Sequence, residues 1–420
     1  MFHKTRIDNG LRLINCEMPH ARSASVAVFV GVGSCHEQAC LSGISHFIEH
    51  MLFKGTDHRP SGKEISESIE GVGGILNAEA GKEMTVYWAK VPSPHFPLAI
   101  SVIADIILHS KFQAEEIEKE RRVIVEELNM LMDTPPEWVD ILFDQVMWED
   151  QPLGRDIAGT KETVSRLSRD DILDFLQTHY TPFNAVVSVA GPLPKEYVEQ
   201  VVWDAFGKWN TSPNSFLSSM NIPTAGPRLK VEYKETEQAH LCLGVPGYSY
   251  MHPDRFALDL LNVVLGEGMS SRLFQEIRER RALAYDVQSY VHHYRDVGSS
   301  VIYAGVEPAG IESAIAAILE QLERLKEPIP EEELAKAKEL WKGRMVLRLE
   351  DTRSIASWTG GQELLLNHIL TVDDVIRIVD EIPSSAINQI ASELFRTEHL
   401  HLAVVGPFKD ETKFARVLHL

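Results

Sequence analysis

The chain has 420 residues, with 41 Lys and Arg against 61 Asp and Glu, a formal net charge of −20 at pH 7. Such a balance repels phosphate backbones and anionic lipid, which argues against sequence-independent nucleic-acid binding and electrostatic membrane adhesion, and a cationic peptide is the easier partner. With 44% apolar and 24% charged residues, 26 Gly and 21 Pro, the composition excludes collagen-like and disordered chains and suits two to four folded domains.

The opening residues 1–16 carry no long apolar core, and no run of 18 apolar residues occurs anywhere, so neither a secretory signal nor a spanning helix is expected. Four cysteines are too few for a disulfide framework, and free thiols in a reducing cytoplasm are the expectation. In chain order, Gly10 between two short apolar segments predicts a hairpin, and residues 25–33 (SVAVFVGVG) predict a further strand. Helices are predicted over 41–54 and 62–72, a strand over 84–91, long helices near 94–110 and 113–132, another at 169–179, and a strand over 184–191.

The Ser-, Asn- and Pro-rich stretch at 210–227 reads as a linker. Beyond it the first half recurs. AVVSVAGP ends at Gly191-Pro192 and LHLAVVGP at Gly406-Pro407, and the same offset of 215 carries the strand near residue 25 onto His240. We therefore expect an α+β protein of two homologous domains, each a sheet packed with helices, with boundaries at 1–210, a linker at 211–227 and a second domain at 228–420.

Within residues 43–53 (GISHFIEHMLF), Ile44, Phe47, Ile48, Met51 and Leu52 mark one apolar helix face. His46 and His50 stand one turn apart on the adjoining face with Glu49 beside them, so both imidazoles can reach one metal ion. This is the inverted His-x-x-Glu-His pattern of zinc peptidases. A hydrolytic zinc takes three protein ligands and leaves one position open, so a third ligand is expected. In residues 115–132 the stripe Ile117, Ile124, Leu128 and Leu131 is apolar. Glu127 lies beside it, with Glu120 two turns earlier, and a carboxylate against apolar packing needs a cation. The competing reading is a solvated acidic face, which suits Glu115, Glu116, Glu118 and Glu126 better than Glu127.

With these residues in place, the chain resembles the pitrilysin-type metallopeptidases, and among them the short-chain members related to mitochondrial processing peptidase. The resemblance rests on HFIEHMLFKGT (46–56), on ERRVIVEE (120–127) at the family's spacing, on GGILNAEAGKEMTVYWAKV (73–91), on PLGRDIAGT (152–160) and on GMSSRLFQEIRERRALAYDVQSY (268–290). It implies one Zn2+ per chain bound by His46, His50 and Glu127, with Glu49 as general base activating a zinc-bound water and Glu120 supporting a ligand. It implies substrate contact at Asn77 and Ala78, and further contact from Arg278 and Tyr285 in the second domain. Ala80 stands where the family commonly has Thr, and Glu79 is also unusual there. At the 215 offset, His46, Glu49 and His50 fall on Leu261, Val264 and Leu265, so the second domain is expected to be degenerate.

The expected activity is a zinc endopeptidase acting on peptides or unfolded segments inside a homodimer, with Arg278 and Tyr285 acting across the interface. The alternatives are a non-catalytic subunit and a heterodimer whose other chain completes the site. Manganese or cobalt also suits two histidines and a carboxylate.

Overall fold

The computed structural model describes residues 2–209 and 228–420, so the stretch 211–227 read as a linker lies outside the described residues. The first sheet is built from β1 (Phe2–Arg6), β2 (Arg12–Glu17), β3 (Ser23–Val30), β4 (Ile75–Ala80), β5 (Thr85–Pro92) and β6 (Ala185–Gly191), in the order β1-β2-β6-β3-β5-β4. The β1–β2 hairpin predicted at Gly10 is present, and that glycine takes φ +94°. Strand β3 is central, and its side chains alternate between two cores as strand geometry demands. Val26, Val28 and Val30 face the core that contains the helix Ile44–Leu52, whereas Ala27 and Phe29 face a second core with Ile14, Trp88 and Val186.

The second sheet is built from β7 (Arg228–Tyr233), β8 (Ala239–Gly247), β9 (Ala284–His293), β10 (Gly298–Val306) and β11 (His401–Gly406), in the order β7-β11-β8-β10-β9. Its topology repeats that of the first sheet without β1. In each, a parallel pair (β2 with β6, β7 with β11) is followed by three antiparallel pairings. Even the register repeats. Val26 pairs with Val189 and Ala89, and Leu241, 215 residues on, pairs with Val404 and Ala304, each 215 residues beyond its counterpart. The internal duplication read from two strand endings therefore extends through the sheet.

The compact units do not follow the chain halves. Of the described residues, one unit is drawn from 2–128, 155–209 and 347–371, the other from 129–154, 228–346 and 372–420. All strands of a sheet come from one half, but two helices are exchanged. Helix Thr352–Leu366, from the second half, covers the β3–β6 face of the first sheet. Gly360 sits so close to Phe29 that an added Cβ would lie 2.2 Å from its ring, Thr359 Oγ1 lies 3.0 Å from Ser188 Oγ, and Arg12 reaches Glu363 O at 3.0 Å. Helix Pro135–Trp148, from the first half and not foreseen in the sequence, covers the second sheet. Its Trp138 Nε1–H donates to Glu232 at 2.8 Å, and Asp140 accepts from Cys242 and Tyr290. A contiguous division at 210 thus describes the strands and not these two helices.

Candidate metal centre

The helix Ile44–Leu52 buries the five apolar side chains predicted for it, each at 1% exposure or less. Its start is set by long-range contacts. Gly43 takes φ +95°, a conformation that favours glycine, and a Cβ there would lie 2.6 Å from Ala158 O. The facing Gly159 is equally tight against Ser42 O, at 2.3 Å, so the 152–160 segment and the helix entry fit only without side chains. No local side chain caps the helix. Instead Glu37, buried, accepts from the Gly43 N–H at 2.8 Å and the Ser45 N–H at 2.9 Å, placing a carboxyl on the orphan donors of the first turn. Sequence reasoning missed Glu37, because a cap six residues upstream leaves no local signature.

His46 and His50 present their Nε2 atoms to each other at 3.3 Å, with ring centroids 4.6 Å apart. Glu127 Oε2 lies 3.9 Å from His46 Nε2 and 3.5 Å from His50 Nε2. His50 Nδ1 stands 3.0 Å from Glu120 Oε2, so the ring donates there and turns the lone pair of Nε2 toward Glu127. Burial, with the neighbouring His50, lowers the His46 pKa to about 4, so that ring is neutral near neutral pH. Two imidazole nitrogens and a carboxylate oxygen thus converge, all within 4.8 Å of one another. This donor set fits a divalent cation with nitrogen and oxygen preference.

The two glutamates of the helix Ala114–Asp133 differ from expectation in burial. Glu127 is not held against the apolar stripe, since 43% of its side chain is exposed. The helix turns Glu120 inward instead, where it pairs with His50 and, through Oε1, with Lys54 Nζ at 2.7 Å. The buried carboxylate thus has a cation and an imidazole donor as partners, while Glu127 stands at the mouth of the cluster.

Glu49 points to β4. Its Oε2 accepts from the Ala80 N–H at 2.7 Å, and burial, partly offset by that bond and by His50, raises its pKa above the usual carboxylate range. β4 is the edge of the sheet. Gly81 N–H donates inward to Met84 O, and the Ala80 N–H points outward, so the even-numbered residues Leu76 and Ala78 also turn their N–H groups to the free edge. The Asn77 side-chain oxygen accepts from the Ala78 N–H at 2.8 Å.

Arg278 and Tyr285 belong to the other unit. Arg278 lies on a wide helical turn, Phe274–Arg280, after which the Arg281 N–H reaches back five residues to Glu276 O. Its guanidinium stacks over Phe274 at 4.9 Å and Tyr285 at 5.2 Å, and Tyr285 is 74% exposed. Leu261, Val264 and Leu265, the counterparts of the motif residues, are buried on the helix Arg255–Gly266 and offer no ligand.

Comparison with known proteins accords with this geometry. Residues 13–161 match the family described as Insulinase (Peptidase family M16), and residues 166–340 match the Peptidase M16 inactive domain. The chain is 38% identical to a Bacillus subtilis protein named uncharacterized zinc protease YmxG, over 97% of this chain and 98% of that one. It is 36% identical to an uncharacterized zinc protease of Streptomyces coelicolor, over 97% and 90% respectively. The crystal structure of a protease from Helicobacter pylori has the same fold, with a TM-score of 0.91 at 24% identity, covering 97% of this chain and 99% of that one. The chain is a two-unit α+β protein of the pitrilysin type and belongs to peptidase family M16. Among the described residues no helix is long and apolar enough to cross a membrane.

Proposed function

We propose that this chain is a zinc-dependent endopeptidase whose first unit carries the chemistry. The observation that carries the reading is the convergence of His46, His50 and Glu127 beside a carboxylate, Glu49, that is tied to an open strand edge. When bound, zinc supplies Lewis-acid polarisation of a carbonyl and lowers the pKa of water towards about 7. Glu49 takes the proton of the attacking water and returns it to the leaving amine, a task suited to a carboxyl raised above its usual range. Substrate adds to the free edge of β4 as an extended strand, pairing with Leu76 and Ala78, and the Asn77 side chain releases the Ala78 N–H as it arrives. Such pairing reads backbone rather than side chains and tolerates varied peptide sequences. Glu120 orients His50 and holds its tautomer.

Tyr285 supplies a hydroxyl to the developing oxyanion, oriented by the stacked Arg278, and reaches the first unit of a second chain in a homodimer that encloses the peptide. The degenerate second unit supports a different reading, a subunit that completes a paralogous partner. The intact set His46, Glu49, His50 and Glu127 favours the catalytic one.

Metal analysis with cleavage of a quenched peptide library, on wild type and Glu49→Gln, tests the proposal. Zinc at the His46, His50 and Glu127 centre in both, with cleavage only in wild type, is the expected result. No metal in either overturns it. Light scattering tests the homodimer, and a monomer with full specific activity on dilution removes it.

A further inference from the structure

A second cluster of ligating atoms, sharing no residue with the first, lies at the C-terminal end of the helix Phe96–His109. Asp105 and His109 are one turn apart on it, and His58 comes from the loop that follows the helix Ile44–Leu52. Asp105 is buried between Ala104 and Ile106, both of which pack in the core. Its two oxygens are used unequally. Oδ2 accepts from Thr56 Oγ1 at 2.6 Å and from Arg59 Nη1 at 2.6 Å. Oδ1 faces two imidazoles, with His58 Nδ1 at 2.8 Å and His109 Nδ1 at 3.4 Å. The rings stand edge to face, with centroids 5.1 Å apart and an angle of 79°.

The backbone holds these groups in place. Asp57 N–H donates to His109 O at 3.1 Å, Lys111 N–H to Gly55 O at 3.1 Å, and Thr56 bridges to Ser110. The histidines are 68% and 44% exposed while the carboxylate is buried, so the imidazoles are reachable from solvent.

We infer that His58, Asp105 and His109 form a second site for a divalent transition-metal ion of the zinc class, bound through His58 Nδ1, His109 Nδ1 and Asp105 Oδ1. One ligating atom from each of the three residues lies within 4.8 Å of the others. Ligands at ~2.0–2.1 Å from a tetrahedral ion stand roughly 3.3 Å apart, so rotation of two exposed side chains closes the shell and solvent takes the fourth position. Thr56 and Arg59 hold Asp105 Oδ2 and aim Oδ1 at the ion, the outer-shell support that metal carboxylates use. Bound there, the ion ties the loop after the motif helix to the end of the helix Phe96–His109.

The test uses the full chain stripped with EDTA and titrated with Zn2+ alone by calorimetry, with Co2+ absorption as a second reading. Wild type is expected to bind two ions. His58→Ala with His109→Ala is expected to bind one and to lose the Zn2+-dependent rise in Tm that arises at this cluster. His46→Ala with His50→Ala is expected to retain the other ion, so failure of the first centre and failure of this one are distinguished. His58→Gln with His109→Gln, which keeps bulk and polarity, guards against misfolding, with metal-free Tm and circular dichroism matched to wild type. One ion in wild type that His58→Gln with His109→Gln leaves in place, or two ions in that variant, overturns the inference.

Discussion

The Ala80 backbone N–H donates to Glu49 Oε2 at 2.7 Å, so the proposed general base is hydrogen-bonded to the strand that would receive substrate. Base and edge are therefore positioned by one contact, and the parity of that contact fixes which amides of β4 face outward.

Parity makes a mutational contrast. Ala78→Pro removes an amide hydrogen that points to the free edge, whereas Glu79→Pro removes one directed at β5. Ala78→Pro should raise KM by roughly tenfold, the worth of about one backbone hydrogen bond, with unchanged metal content and Tm. Glu79→Pro should lower Tm. Peptide kinetics beside thermal melts check both, and a fall in Tm for Ala78→Pro contradicts the outward assignment.

Glu120 acts through His50. Glu120→Gln loses the charged acceptor for His50 Nδ1 and leaves Lys54 without its anion. Metal affinity should fall by about 10- to 100-fold in a chelator competition. Glu126→Gln on the same helix should leave affinity unchanged.

Glu37 makes stability depend on pH. Burial, opposed by the amides of Ser45 and Gly43, pushes its pKa up to about 7 from 4.5. An acid that holds its proton more tightly when folded contributes stability that is complete below the unfolded value and is lost as pH rises through the folded one. Urea unfolding should therefore show stability falling by on the order of 2 kcal/mol between about pH 5 and pH 8 from this group. Glu37→Gln, which cannot ionise, should flatten that slope. An unchanged slope places the titration elsewhere.

Gly159→Ala places a Cβ 2.3 Å from Ser42 O at a residue with φ +77°. Backbone on both sides prevents relief, so a loss of about 1–3 kcal/mol is expected. Because Ser42 precedes the motif helix, metal affinity should fall with it. Gly310→Ala, where a Cβ meets nothing within 4 Å, is the matched control.

Much of this was legible in the residues. The apolar face of the motif helix, the pairing of His46 with His50, and the duplication all follow from spacing, since period 3.6 and period 2 are written locally. The proposed third ligand was harder. Glu120 and Glu127 lie nearly on one helical face, and only the packing of the helix Ala114–Asp133 turns Glu120 inward and leaves Glu127 at the mouth. The Glu37 cap, the Lys54–Glu120 pair and the Gly43–Gly159 contact join segments far apart in the chain, and no local pattern encodes them. Helix Pro135–Trp148 begins with two prolines, which in a sequence mark a break as readily as a first turn.

The exchanged helices give the chain a timetable. Residues before 210 contain the whole metal cluster and every strand of the first sheet, yet the face carrying Phe29, Trp88 and Val186 stays bare until Ala356 and Gly360 have been synthesised. During those roughly 150 residues of further elongation, at about 5–20 residues per second, the nascent first half exposes apolar surface for tens of seconds or less. A ribosome-bound chain stopped before residue 350 should thus be protease-sensitive in its first sheet, and one whose residues 351–370 have emerged should be protected there. The half that holds the proposed metal centre is finished by the other half.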